Sequence, residues 1–196
     1  MKRNTNNLAA LLKQKERVFH TQDLAVIWEI TNKNTLYTAI KRYCQKGILR
    51  RIFKGLYTTV PVSEISPLKM GAKALHKYCY ITTETVLQED GFLNQAVFLI
   101  TFVSNQSRRF SIEKNEYKSR KLKDKYLYNP TGIIEKDGVK RADIFRAIAD
   151  MLYFNPHAYF DKNVNWAEVK KVQKAVGYPL TAKRYVDSGG SGVFER

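Results

Sequence analysis

The 196-residue chain is predicted to be α+β. Three observations carry that reading. Apolar residues up to Cys44 recur at helical spacings, then give way to two short strand-like runs around Lys54-Gly55. After Ser66, helical and strand patterns mix without the strict alternation of a doubly wound sheet. Between these stretches lies PVSEISP, Pro61 to Pro67, with the proline and serine content of a boundary. The predicted domains are therefore 1–62 and 63–186. The tail 187–196, DSGGSGVFER, reads as a flexible linker, native or appended during cloning, and is set aside.

Leu8, Leu11 and Leu12 mark a first helix. Val18 and Phe19 read as a short apolar link, and Thr21 is placed to cap a second helix with Leu24, Ile27 and Trp28 inward. Thr31 or Asn32 caps a third, where Leu36, Ile40, Tyr43 and Cys44 form one buried stripe. Gly47 stands just past its end, where a left-handed residue is wanted. ILRRIF and LYTTV then form a hairpin around Lys54-Gly55. Three helices followed by a β-hairpin is the order of a winged helix-turn-helix.

In the second region, Ser66 and Pro67 start a helix through LKMGAKALHKY. CYIT reads as a strand, TETVLQEDG as a short helix ending at Gly91, and AVFLITFV (Ala96 to Val103) as a buried strand with RFSIEK as its partner. GIIEKDGVKRA is a hairpin turning at Asp137-Gly138. ADIFRAIADMLYFN is the clearest helix, with Phe145, Ile148, Ala149 and Leu152 on one face, and WAEVKKVQKAV is the last. Together they make a mixed α/β C-terminal domain.

The formal charge is +16 and the pI about 9.8. That excess exceeds what solubility needs and points to a polyanionic partner, nucleic acid before an anionic membrane surface. No apolar run is long enough to span a membrane as a helix, and the N-terminus lacks a signal core, so a cytoplasmic protein is expected. Cys44 and Cys79 have no metal or redox spacing and read as free core thiols.

Burying the apolar stripe of the third helix leaves Lys33, Asn34, Thr35, Tyr37, Thr38, Lys41, Arg42 and Gln45 on the rest of it. These types suit a major groove: Asn and Gln for adenine edges, Thr for phosphate or a thymine methyl, Lys and Arg for phosphate or guanine. The candidate DNA-binding residues are Lys33, Asn34, Thr35, Tyr37, Thr38, Lys41 and Arg42, with Arg50, Arg51 and Lys54 in and beside the wing. A solvated charged helix face is the plainer reading. Against it stand the order of elements, the continuation of charge onto the hairpin, and the scarcity of acids: only Glu16, Asp23 and Glu29 precede Val60.

A second basic stretch, Arg108 to Tyr126, offers Arg108, Arg109, Lys118, Arg120, Lys121 and Lys123 as a further phosphate-contacting surface, or else a mobile solvated loop. Its interleaved Tyr117 and Tyr126, with Tyr128 just beyond, are expected to pack in the core or loops, since paired bases offer no face for stacking.

Enzymatic signals are weak. Glu116-Tyr117-Lys118 and Glu168-Val169-Lys170 match half of a metal-dependent nuclease site but lack a Pro-Asp partner. His20, His76 and His157 are isolated, Ser104 and Ser107 carry no nucleophile motif, and Asp143 and Asp150 serve helix start and a surface pair with Arg146. No enzyme, cofactor or metal site is expected. The alternatives are a Mg²⁺-dependent nuclease, an RNA-binding module on the same basic surface, and a plain winged-helix regulator with a small-ligand sensor domain.

The segments VFHTQDLA and YTAIKRYCQKGILRRIFKGLYTTV resemble the N-terminal region of AbiEi-type antitoxins, the regulators of abortive-infection toxin–antitoxin operons. The matching features are Val18-Phe19-His20-Thr21, Lys46-Gly47-Ile48-Leu49 and Lys54-Gly55-Leu56-Tyr57. YITTETVLQEDGF and VKRADIFRAIADMLYF are similar to the family's second region, and the resemblance runs from about Asn7 to Phe160. It implies a DNA-binding N-terminal domain that represses its own operon by binding double-stranded operator DNA, and a C-terminal domain associated with antitoxicity. The implied toxin is a nucleotidyltransferase, countered as a functional rather than a stable physical partner in a type IV system.

Overall fold

The computed structural model describes residues 2–94 and 98–180. The tail expected at 187–196 lies outside them, as does the end of the second predicted domain. Among the described residues, helices and strands mix in an α+β arrangement with two sheets.

The first 60 residues form α1 (Lys2–Leu12), β1 (Val18–His20), α2 (Thr21–Ile27), α3 (Lys33–Gln45), β2 (Arg50–Phe53) and β3 (Leu56–Thr58). The link at Val18 and Phe19 is thus a strand, pairing antiparallel with β3 and completing a sheet of order β1-β3-β2. Strand alternation explains its two apolar residues. Phe19 and its register partner Tyr57 face a core of Leu11, Leu24, Trp28, Leu36, Ile40, Tyr43 and Leu49. Val18 and Leu56 face the other way and belong to the core of the second region. Ring stacking of Trp28 on Tyr43, centroids 4.9 Å apart, joins α2 to α3.

Several local expectations shift. His20, not Thr21, caps α2: its N–H donates to Asp23 Oδ2 at 2.8 Å, and its Nδ1 accepts from the Gln22 N–H at 3.4 Å. The Thr21 hydroxyl instead donates to the Gly55 carbonyl at 3.2 Å, tying α2 to the β2–β3 turn. Leu12 is 60% exposed, so only Leu11 anchors the end of α1. Asn32 caps α3, accepting from the Thr35 N–H at 3.1 Å, and Gly47 takes φ +70° beyond its end. Cys44 is half-buried, at the margin of the stripe Leu36, Ile40 and Tyr43.

A 3-10 turn, Val62–Glu64, leads into the second region. There α4 (Pro67–Leu75), β4 (Cys79–Ile81), α5 (Glu84–Glu89), β5 (Leu99–Ser104), β6 (Arg108–Ile112), β7 (Asn115–Lys121), α6 (Asp124–Leu127), β8 (Ile133–Lys136), β9 (Val139–Ala142), α7 (Ile144–Phe154) and α8 (Trp166–Val176) follow. The sheet order is β6-β7-β5-β4-β9-β8, with β5–β7 and β4–β9 parallel. The strand expected from Ala96 begins at Leu99; Ala96 and Val97 lie outside the described residues, and Phe98 is 89% exposed. Its neighbours are β4 and β7, while β6 pairs with β7 and, among the described residues, stands at the sheet edge. Asp137 and Gly138 both take positive φ, as a two-residue hairpin turn requires.

On one face of this sheet α4 lies so close that a Cβ on Gly71 would stand 2.4 Å from the Tyr117 ring. On the other, α7 buries an ion pair expected at the surface. Arg146 and Asp150 are both 0% exposed, with Nε 2.8 Å from Oδ1. All five guanidinium N–H groups are used: the remainder donate to the carbonyls of Asn129, Thr131 and Tyr126 and to the Tyr80 hydroxyl. Asp150 also accepts from the hydroxyls of Thr82 (2.7 Å) and Tyr178 (2.6 Å). Burial, with the Asp150 charge second, pushes the Tyr80 and Tyr178 phenols well above their usual range, so both remain hydrogen-bond donors. A charge this deep is tolerable because every polar atom is answered.

Candidate nucleic-acid interface

Burial of Leu36, Ile40 and Tyr43 on α3 turns the opposite arc outward. Lys33, Asn34, Thr35, Tyr37, Thr38, Lys41 and Arg42 are all exposed, Tyr37 by 55%. The arc is not chemically uniform. The Thr35 hydroxyl donates to the capping Asn32 Oδ1 at 3.3 Å, so it supports the helix start as well as facing outward.

The hairpin stands beside this helix. Burial raises the Cys44 thiol and the Tyr57 phenol above their ordinary values, and the Arg51 charge pulls both part of the way back. Arg51 therefore lies near both Cys44 of α3 and Tyr57 of β3. Its Nε donates to the Phe53 carbonyl at 3.4 Å, across the bulge between Arg51 and Phe53. Arg50, Arg51 and Lys54 are all exposed.

Two of the three acids of the first region are engaged elsewhere, and the third, Glu29, is exposed in the turn before α3. Asp23 caps α2, Glu16 lies 3.7 and 3.6 Å from Lys69 and Lys73, and Glu29 takes a left-handed conformation at φ +53°. Among the described residues no ion pair involves Lys33, Lys41, Arg42, Arg50, Arg51 or Lys54. The result is a helix face and hairpin with six cations, none of them ion-paired among the described residues.

The second basic stretch is neither a loop nor one surface. It is the β6–β7 hairpin, with Ile112, Tyr117, Ser119 and, beyond it, Tyr126 buried, while Tyr128 is exposed. Strand alternation divides its charges between the two faces of the sheet. Arg108 shares a face with Phe110 and Tyr117, whereas Arg109 lies opposite Lys118 on the other. The Arg108 guanidinium sits 5.6 Å from the Phe53 ring of β2 and 5.1 Å from Phe110, and these rings lie 5.5 Å apart. Arg108 thus adjoins the β2–β3 hairpin. Arg120 is taken up by an ion pair with Glu84 and by the face of Phe154, 5.2 Å away. Lys121 and Lys123 are exposed at the end of β7 and after it.

The histidines read as isolated are not all so. His20 and His76 stack with centroids 3.7 Å apart, and His76 Nε2 lies 2.7 Å from Gln22 Oε1. Periodicity gives no signal for a contact between residues so far apart in the chain. Glu116 is exposed on β7 opposite Ser111, and Glu168 pairs with Lys171 at 2.5 Å. Among the described residues no cluster of three or more His, Cys, Asp or Glu is arranged to hold a metal, and no helix is long and apolar enough to cross a membrane.

No protein-family model matches the chain, and no curated protein does. Among solved structures it is similar to the crystal structure of RV2827C protein from Mycobacterium tuberculosis, with a TM-score of 0.50 at 12% identity over 91% of this chain and 73% of that one. At that identity the likeness concerns the fold alone.

Proposed function

We propose that the chain is a sequence-specific DNA-binding repressor whose first 62 residues act as a winged helix-turn-helix. In this reading α3 enters the major groove and the β2–β3 hairpin is the wing. The observation that carries it is the set of six cations, none ion-paired among the described residues, split between an exposed helix face and the adjoining hairpin. Asn34, Thr38 and Gln45 add side chains that can read base edges. Promoter occlusion follows from occupancy of the operator.

The finer assignment, an AbiEi-like antitoxin that autoregulates a toxin–antitoxin operon, rests on the sequence motifs alone. It places a nucleotidyltransferase gene next to this one, with a toxin that the chain neutralises without forming a stable complex with it.

Thr38→Ala and Arg42→Ala test the reader. Both positions are exposed, so thermal stability should hardly change, while operator affinity falls by about tenfold or more for a lost base or phosphate contact. Normal binding by both variants in a mobility-shift titration would remove α3 as the reading helix.

A further inference from the structure

We propose that the cleft between α4 and the β8–β9 hairpin binds a small polyphosphate, free or carried on a nucleotide. The cleft has a volume of about 220 Å³. Lys69 and Lys73 of α4, Lys77 just after it and Lys140 of β9 line it, over a floor that includes the buried Cys79. Among the described residues no carboxylate lines it.

Four ammonium groups around one small cleft repel one another, and Lys69 and Lys73, one turn apart, do so on the same helix stripe. The counter-charge present is meagre. Glu16 lies 3.7 Å from Lys69 and 3.6 Å from Lys73, too far for a hydrogen bond to either, and its Oε2 is buried without a hydrogen-bond partner. Glu135 faces Lys140 from the neighbouring strand. Lys69 Nζ reaches across towards the hairpin turn, where a Cβ on Gly138 would lie 3.4 Å away. The arrangement answers a ligand with several anionic oxygens.

Tyr78 supplies an aromatic wall. Lys140 Nζ sits 4.8 Å from its ring centre, and the Tyr128 ring is 5.1 Å off at a tilt. Lys140 and Tyr128 already pack against that ring, so the lysines and their phosphate chain, rather than a base, carry the fit. The concavity favours a small molecule over duplex DNA, whose phosphates lie on a convex rod and would meet only the rim. The bound phosphates take over Lys69 and Lys73 from Glu16, the residue that ties α4 to the segment before β1. Neither DNA binding nor antitoxicity is required for this.

The test is calorimetric titration of the full chain with tripolyphosphate, ATP and AMP at physiological salt. The expected result is saturable one-to-one binding of tripolyphosphate and ATP, with AMP weaker. Equal affinity for the first two identifies the phosphate chain as sufficient. Lys69→Ala/Lys73→Ala should weaken binding roughly tenfold or more, as expected for lost charge-assisted contacts. Lys170→Ala/Lys174→Ala, which removes equal charge from exposed positions on α8, should leave it nearly unchanged. Glu16→Gln should tighten it. The proposal is overturned if binding does not saturate, or if both double variants lose affinity alike, since that is general attraction to a basic chain. It is also overturned if the Lys69/Lys73 variant loses duplex DNA binding while keeping tripolyphosphate.

Discussion

If α3 and its hairpin grip operator DNA as proposed, affinity should fall steeply with salt, and the number of exposed cations sets how steeply. Lys33, Lys41, Arg42, Arg50, Arg51 and Lys54 are exposed and have no acidic partner among the described residues. If each neutralises one phosphate, about 0.9 counterions are released per contact, and log K against log[salt] has a slope of about −5. Between 50 and 200 mM salt that is roughly a thousandfold loss. Fluorescence anisotropy on a labelled operator duplex measures it directly. Lys54→Ala should reduce the slope by about one and weaken all sequences alike, because a phosphate contact carries no base information. Lys170→Ala should leave the slope alone. A slope near zero, or one that Lys54→Ala does not change, would refute the assignment of the hairpin as a phosphate clamp.

Three further outcomes concern the fold that holds this surface. Arg146→Met should cost about 3–5 kcal/mol in urea unfolding, because it leaves Asp150 buried without its cation, and adding Asp150→Leu should recover only part of the loss, since the carbonyls that Arg146 served and the hydroxyls of Thr82 and Tyr178 then lack partners. Gly71→Ala should destabilise by about 1–3 kcal/mol despite alanine's better helix propensity, since the new methyl meets the Tyr117 ring; a more stable variant would refute the close approach of α4 to that ring. Burial first, then the His76 ring, lower the His20 pKa from its ordinary 6.5, with Asp23 opposing. The folded chain then binds fewer protons there than the unfolded one, so the stability present above about pH 6.5 should be lost as pH falls below it. His20→Asn, which keeps a capping side chain, should flatten that dependence in urea midpoints measured at pH 7.5 and 5.5.

Much of this architecture was legible because its signals are local. The buried stripe of α3, its Asn32 cap, Gly47 beyond its end and the turn at Asp137-Gly138 each follow from spacing and backbone preference within a few residues. What escaped the sequence depends on partners far away in the chain. Val18 and Phe19 are too few to announce a strand, and only pairing with β3 makes them one. The burial of Arg146 with Asp150 is invisible in an i, i+4 spacing that surface pairs also show. The run of charge along Arg108 to Lys123 does not reveal that a strand sends alternate residues to opposite faces, or that Glu84 holds Arg120. The exposed residues of α3 were readable, by contrast, as the complement of its buried stripe.

Val18 and Leu56 limit how this protein can be taken apart. Both lie on the small sheet, yet both are buried in the core beneath α4 rather than in the one beside α3. A fragment ending near Pro61 would carry them bare on its surface, next to a His20 that had lost its stacked neighbour. Such a fragment would be prone to self-association, and a chimera exchanging only the first 62 residues would import a mismatched floor. Carrying α4 along would cover that floor but bare the side of α4 that packs on Phe102 and Tyr117, so neither the proline-rich junction nor the end of α4 is a clean place to cut.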